Sequence, residues 1–350
     1  MSNPFGRRWI FRFVIVSGCL LFTLLGSTVA WSETPAINPV DRIRLAESFR
    51  LNRVMGDRCW PGWTVGPDAV ILVYDDAEFL IRHPEPSPDF QLIGYDADLG
   101  SNIYWRPRTF AANLQATFPA VGGVVSVVIG RAEATAAKTS TPWVAMLAHE
   151  HFHQWQMSQS WYNNAVDSLD LKGGDNTGMW MLNYNFPYDS TRIIGQFSAL
   201  QKQLIEMLDT KKPESLRARL QTYLADRAQF LNDVGAGPAR YFSFQIWQEG
   251  IARYVEIRAA QLVAKRVKLS NAFRSLTDYE PFDSVAQQLR EAVLKELSTL
   301  KLNSDRRICF YAYGAAEGMI LDRLLPNWQV LYAQQRFRIE RLLEIALTTK

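Results

Sequence analysis

The chain has 350 residues, 48% of them hydrophobic and 12% aromatic, enough to bury a substantial core in one domain of two lobes or in two small domains. Its formal charge of +3 comes from 38 basic and 35 acidic residues, and Arg7, Arg8 and Arg12 account for the whole excess. The rest of the chain is neutral, which excludes the electrostatic footprint of a protein that binds nucleic acid or an anionic membrane surface.

Those arginines open a signal-peptide pattern over residues 1–30. An apolar run of 13 residues, Phe13 to Leu25, follows them, and Ser27-Thr28-Val29-Ala30 offers small residues for cleavage. The run is short of the roughly 20 apolar residues that span a bilayer. Export to the periplasm or outside the cell is expected, with no stable membrane association after cleavage and an uncleaved N-terminal anchor as the alternative. Cys19 leaves with the signal. Cys59 and Cys309 remain, as one disulfide or as two separate buried thiols, and two cysteines are too few for a Cys-rich zinc site.

The expected fold is α+β, with a β-rich N-terminal lobe over 31–140 and a helical lobe over 141–350. Residues 40–58 read as an amphipathic helix. Ala69 to Tyr74, Glu78 to Arg82, Ile103 to Arg106 and Val124 to Ile129 read as strands of a small antiparallel or mixed sheet, the last entered through Gly122-Gly123. His83, before Pro84, reads as an exposed loop residue. Thr141-Pro142 predicts a helix start, with a helix from Pro142 to about Ser158. Helical periodicity recurs over 193–211, 214–233, 239–266, 284–301, 306–325 and 329–347. Residues 160–192 form a long irregular segment, and such segments are usually functional or poorly ordered.

Three of the four histidines fall in His149-Glu150-His151-Phe152-His153. The run contains H-E-x-x-H, in which two histidines four apart on one helical face bind zinc and the glutamate manages the proton of an activated water. His151 lies about 200° round the helix from each candidate ligand, so it reads as a core or supporting histidine. A catalytic zinc needs a third protein ligand. No histidine follows His153, which leaves a carboxylate. Glu249 and Glu256, seven apart on one helical face, are both open to that role.

With Glu249-Gly250-x-Ala252-x-Tyr254 downstream, the run resembles the gluzincin metallopeptidases of the aminopeptidase N and glycyl aminopeptidase types. That resemblance implies Glu249 as third zinc ligand, with Glu256 a helix residue or supporting partner. It also puts Tyr311, in Tyr311-Ala312-Tyr313-Gly314, where a tyrosine hydroxyl stabilises the tetrahedral intermediate. It implies an edge strand that holds the substrate backbone, here Val124 to Ile129.

The chain departs from the pattern in three places. His153 and Glu249 stand 96 positions apart, so the 193–233 helices and the 160–192 segment read as an insertion. Tyr313 replaces a lysine. No amine-binding G-x-M-E-N segment precedes residue 140.

The resulting expectation is a Zn2+ hydrolase acting on peptides or proteins, with Glu150 as general base and His149, His153 and Glu249 as ligands. Trp155, Tyr184, Tyr188 and Trp247 are candidates to line its cleft. A non-catalytic binding or scaffold protein of the cell envelope is the alternative, and a zinc hydrolase of non-peptide substrates a third. Gly314-x-x-x-Gly318 reads as a close helix contact.

Overall fold

The computed structural model describes residues 34–349; the signal-peptide segment 1–30 lies outside the described residues. From Pro39 onward, a first helix (α1, Pro39–Met55) starts where Asn38 caps the Val40 amide and proline takes the first helical position. Six strands follow: β1 (Val70–Val73), β2 (Ala77–Ile81), β3 (Gln91–Asp96), β4 (Ser101–Pro107), β5 (Gln115–Val121) and β6 (Val124–Gly130). They form one mixed sheet in the order β3-β4-β2-β1-β6-β5, with β1 and β6 parallel and the other pairs antiparallel.

The near-continuous apolar run of β1 is explained by burial of the sheet on both faces. Val70, Leu72, Phe79, Val127 and Ile129 face the main core, while Ile71, Val73, Leu80 and Val128 build a smaller cluster under Phe110, Leu114 and Phe118. Gly122 and Gly123, with φ of 55° and 80°, supply the two left-handed residues of a tight β5–β6 hairpin.

Two strands have no counterpart in the apolar pattern. β3 exposes Leu92 and Tyr95 and is bent at a register shift beside Gly94. β5 carries Pro119 at a second register shift, and proline fits an edge strand that needs no donor on its open side. Val124 to Ile129 is therefore not the edge. β6 is covered by β5, which is the strand with a free side. His83 is not exposed either. It is 8% accessible, its Nε2–H donates to the Val121 carbonyl at 3.2 Å, and its Nδ1 accepts from the Glu85 amide at 3.1 Å.

The remainder is helical: α2 (Ser140–Ser158), α3 (Thr191–Asp209), α4 (Pro213–Val234), α5 (Ala236–Gln245), α6 (Ile251–Arg266), α7 (Phe282–Thr299), α8 (Cys309–Leu324) and α9 (Ile339–Thr348), with short single turns between them. This order makes the fold α+β. Helix α2 starts two residues before Pro142, because a distant carboxylate caps it: the Ser140 amide and hydroxyl donate to Asp278 at 2.9 and 2.7 Å. Thr141 instead bonds the Glu280 backbone. Buried Arg44 joins the same anchor, donating to Asp41, Glu133, Asp278 and Ser140.

Helices α3 and α4 pack into the core rather than standing apart: Phe197, Leu204, Leu220 and Phe230 are no more than 1% accessible. Pro35–Lys350 forms one compact unit, in which a single apolar cluster joins the inner sheet face to the helices. Cys59 and Cys309 are buried free thiols. Among the described residues, no helix is long and apolar enough to cross a membrane.

Candidate metal centre

Helix α2 delivers His149 and His153 one turn apart, and their Nε2 atoms converge to 3.1 Å. Glu249 arrives from the far side. Its Oε2 lies 3.3 Å from His153 Nε2 and 3.9 Å from His149 Nε2. These three side chains form a mostly buried cluster able to hold a metal ion. Glu256 is not in it. One oxygen of Glu256 lies 3.8 Å from the other ring nitrogen of His149 and is held by Arg253 at 2.7 Å. That geometry separates the two carboxylates left open by the sequence: Glu249 meets the nitrogens that converge, and Glu256 stands behind His149.

Glu249 reaches the cluster because the helical path is broken. Between α5 and α6 the backbone runs through a π turn, Ile246–Gly250, with the Ile251 amide bonded back to the Ile246 carbonyl. Such a turn widens the helix and recurs at functional sites. Carbonyls in it are taken up from outside the helix: Trp247 O accepts from the Tyr332 hydroxyl at 2.6 Å and from Gln156 Nε2 at 3.1 Å. Gln248 O accepts from the same Gln156 amide at 3.2 Å. Gln156 also accepts from His153 Nδ1, at 2.7 Å. One side chain thus joins the helix of the histidines to the turn of the glutamate. A proton on Nδ1 directed at Gln156 leaves Nε2 as the atom that turns to a metal ion once its own proton is displaced.

Gly250 brings the last element in. A Cβ there would lie 2.6 Å from Gly314 Cα, so α8 can cross the π turn only where both residues are glycine. Gly318 meets the Tyr254 ring in the same way, so the small pair of α8 is a packing feature. The crossing sets Tyr311 against the cluster, its ring stacked on His149 at 6.4 Å and 8°. The Tyr311 hydroxyl accepts from Arg307 Nη1 at 2.7 Å. Tyr313, two residues on, points away into the core and pairs with Tyr223 at 2.6 Å.

Glu150 is 6% accessible, and its Oε2 accepts from the Thr117 hydroxyl at 2.7 Å. Thr117 lies on the edge strand β5, so the carboxylate is held beside the open side of the sheet. His151 faces the other way, between Gln154 and the Trp63 carbonyl. Trp155, Tyr188 and Trp247 are core residues, each at most 5% accessible, and Tyr184 stacks on Tyr241 at 4.4 Å.

The charges of the cluster reinforce one another. Burial disfavours a charged His153, but the adjacent Glu249 carboxylate outweighs it and pushes the imidazole up to about 9. Burial likewise opposes ionisation of Glu249, yet the two imidazoles hold its carboxyl well below the usual range. Burial first, and then Glu249, push the Tyr311 phenol well above its ordinary value despite Arg307, so it stays a hydroxyl and a donor at neutral pH.

Sequence reasoning missed Gln156, Thr117, Arg253 and Arg307. Gln156 is one turn beyond His153 on the ligand face, a spacing that carried the signal; the other three come from elements with no local mark of the site. Comparison with protein-family models, curated proteins and solved structures returns no match for this chain.

Proposed function

We propose that this chain is a zinc-dependent peptidase of the gluzincin type, exported and acting on peptide or protein substrates. One observation carries the reading. His149 Nε2, His153 Nε2 and Glu249 Oε2 are separated by 3.1, 3.3 and 3.9 Å. Ligands about 2.0–2.1 Å from a tetrahedral zinc lie about 3.3 Å from one another, so this donor set fits zinc with shifts of a few tenths of an ångström. Two imidazoles and one carboxylate are also a ligand set of catalytic rather than structural zinc.

Zinc, when bound, acidifies a water and polarises a carbonyl. The rest of the work falls to the chain. Glu150, held by Thr117, takes a proton from the attacking water and delivers it to the leaving amine. Tyr311 donates its hydroxyl to the developing oxyanion. Gln156 fixes the tautomer and aim of His153, and Glu256 sets a negative charge behind His149. The free side of β5 offers backbone groups to an extended peptide.

Elemental analysis of the purified chain after zinc reconstitution tests the reading. About one zinc per chain is expected, lost with Glu249→Ala and kept, though held more weakly, with Glu256→Ala. Peptide turnover should follow the metal. No zinc in any form would overturn the assignment.

A further inference from the structure

We propose that Arg307 receives the carboxylate at the C-terminus of the substrate, which makes the enzyme a carboxypeptidase; this rests on the peptidase reading above. Arg307 sits in the short turn Arg306–Ile308, one helical turn before Tyr311. Its Nη1 donates to the Tyr311 hydroxyl at 2.7 Å, and its guanidinium carbon lies 5.6 Å from the Tyr311 ring centre. That bond fixes the group and leaves the opposite edge free. Nε and Nη2, the edge that grips a carboxylate with two parallel hydrogen bonds, make no bond to any described residue. The residue is half-buried.

The neighbouring arginines differ. Arg253 is spent on Glu256 at 2.7 Å and Glu296 at 3.6 Å, and Arg306 faces Asp189 at 4.0 Å. Arg307 has no salt bridge among the described residues. Glu249, whose charge acts on it, belongs to the metal cluster. A guanidinium edge with no bonded partner is free to bind an anionic ligand by charge-assisted hydrogen bonds.

The reach agrees with one particular anion. The Tyr311 hydroxyl takes the Arg307 bond and its ring stacks on His149, so one side chain separates the arginine from the reacting centre. In a peptide, the carbonyl carbon of the residue after the scissile bond is within about 4 Å of the carbonyl under attack. When that residue is the last one, its carboxylate falls in the range of Arg307. Hydrolysis then adds water across the C–N bond, with hydroxyl to the carbonyl carbon and a proton to nitrogen, and releases a single amino acid. The absence of an amine-binding segment before residue 140 is consistent with recognition of the other end of the chain.

The test separates recognition from turnover. In the zinc-loaded Glu150→Gln protein, binding of one peptide is measured by calorimetry in two forms, free acid and C-terminal amide. Free acid should bind roughly tenfold to a hundredfold more tightly, the range for hydrogen bonds to a charged group. Adding Arg307→Gln should erase that preference by weakening the acid alone, and Arg307→Lys should restore only part of it. Zinc content of each variant reports an intact site.

Equal binding of acid and amide overturns the proposal, as does an Arg307→Gln change that weakens both alike. Acid-selective, Arg307-dependent binding with no cleavage by the wild-type enzyme sustains the anion site and sinks the peptidase reading. Cleavage of interior bonds with no acid preference does the reverse.

Discussion

Helix α8 carries two buried polar clusters, and they resolve their charges in opposite ways. Towards its centre, Glu317 accepts from Arg227 at 2.9 Å and from Tyr223 at 2.6 Å, with Tyr313 and Glu340 alongside. That cluster supplies its own cation, although Arg227 Nη2 and Glu317 Oε2 are buried without a hydrogen-bond partner. Near its start, Tyr311 faces the meeting point of His149, His153 and Glu249, where the converging atoms are two imidazole nitrogens and a carboxylate oxygen. The positive charge that reconciles those three is either a proton on His153 or a metal ion. A buried carboxylate with a fixed cation beside it belongs to the fold, whereas acceptors that converge without one mark a place for a cation. Chemistry and stability should therefore separate cleanly between the two ends of one helix.

The largest expected effect is on chemistry. Glu150→Gln keeps the shape and the Thr117 contact but cannot carry a proton. Peptide turnover should fall by about 10²–10⁴-fold, the usual contribution of a general base, with zinc content unchanged. Full activity of that variant would move the base elsewhere.

At the other cluster the readout is stability. Arg227→Met leaves Glu317 buried without its partner, which costs about 3–5 kcal/mol in denaturant unfolding and leaves the zinc stoichiometry alone. Pairing it with Glu317→Leu should recover much of that loss. A variant that instead lost its metal would show that the clusters are one unit.

Smaller than either is the effect of Gln156→Met. It removes the amide that ties His153 to the π turn, and metal affinity measured with a competing chelator should drop by about 10–100-fold. An unchanged affinity would mean that the turn holds Glu249 in place without Gln156.

How much of this was legible follows from which interactions are local. His149, Glu150 and His153 were readable because helical spacing alone puts both histidines on one face of α2. Glu249 was readable as one of two carboxylates on a helical face, and resemblance to a family pattern chose it and Tyr311, since nothing in Trp247-Gln248-Glu249-Gly250 announces a π turn; that turn depends on Tyr332 and Gln156 donating to its loose carbonyls. The Thr117 contact was out of reach because β5 was not seen as a strand, its proline and mixed polarity hiding it. His83 misled for a related reason. Proline after it signalled a turn correctly, but the Val121 carbonyl of that same unseen strand buries it. The start of α2 moved because its cap comes from Asp278, on a distant segment.

The smallest effect distinguishes the clusters by their protons. His153 is raised from its ordinary value to about 9 in the folded, metal-free protein. Between about 6.5 and 9 the native chain then holds a proton that the unfolded chain has released, so stability falls as pH rises through that window. Glu249 is shifted the other way, and its contribution, present at neutral pH, is lost as pH falls below the ordinary carboxylate range. In the Arg227 cluster burial raises the Glu317 carboxyl against the pull of Arg227, and whatever slope it adds is the same with and without metal. A metal ion must displace the His153 proton, so its affinity should climb with pH across the same window, and the loaded protein should not weaken with it. Melting temperatures from pH 6 to 9.5, with chelator and with zinc, should diverge by a few degrees towards the alkaline end. Two parallel curves would mean that the imidazoles and Glu249 are reconciled by something other than an exchangeable cation, and the contrast between the two ends of α8 would fail.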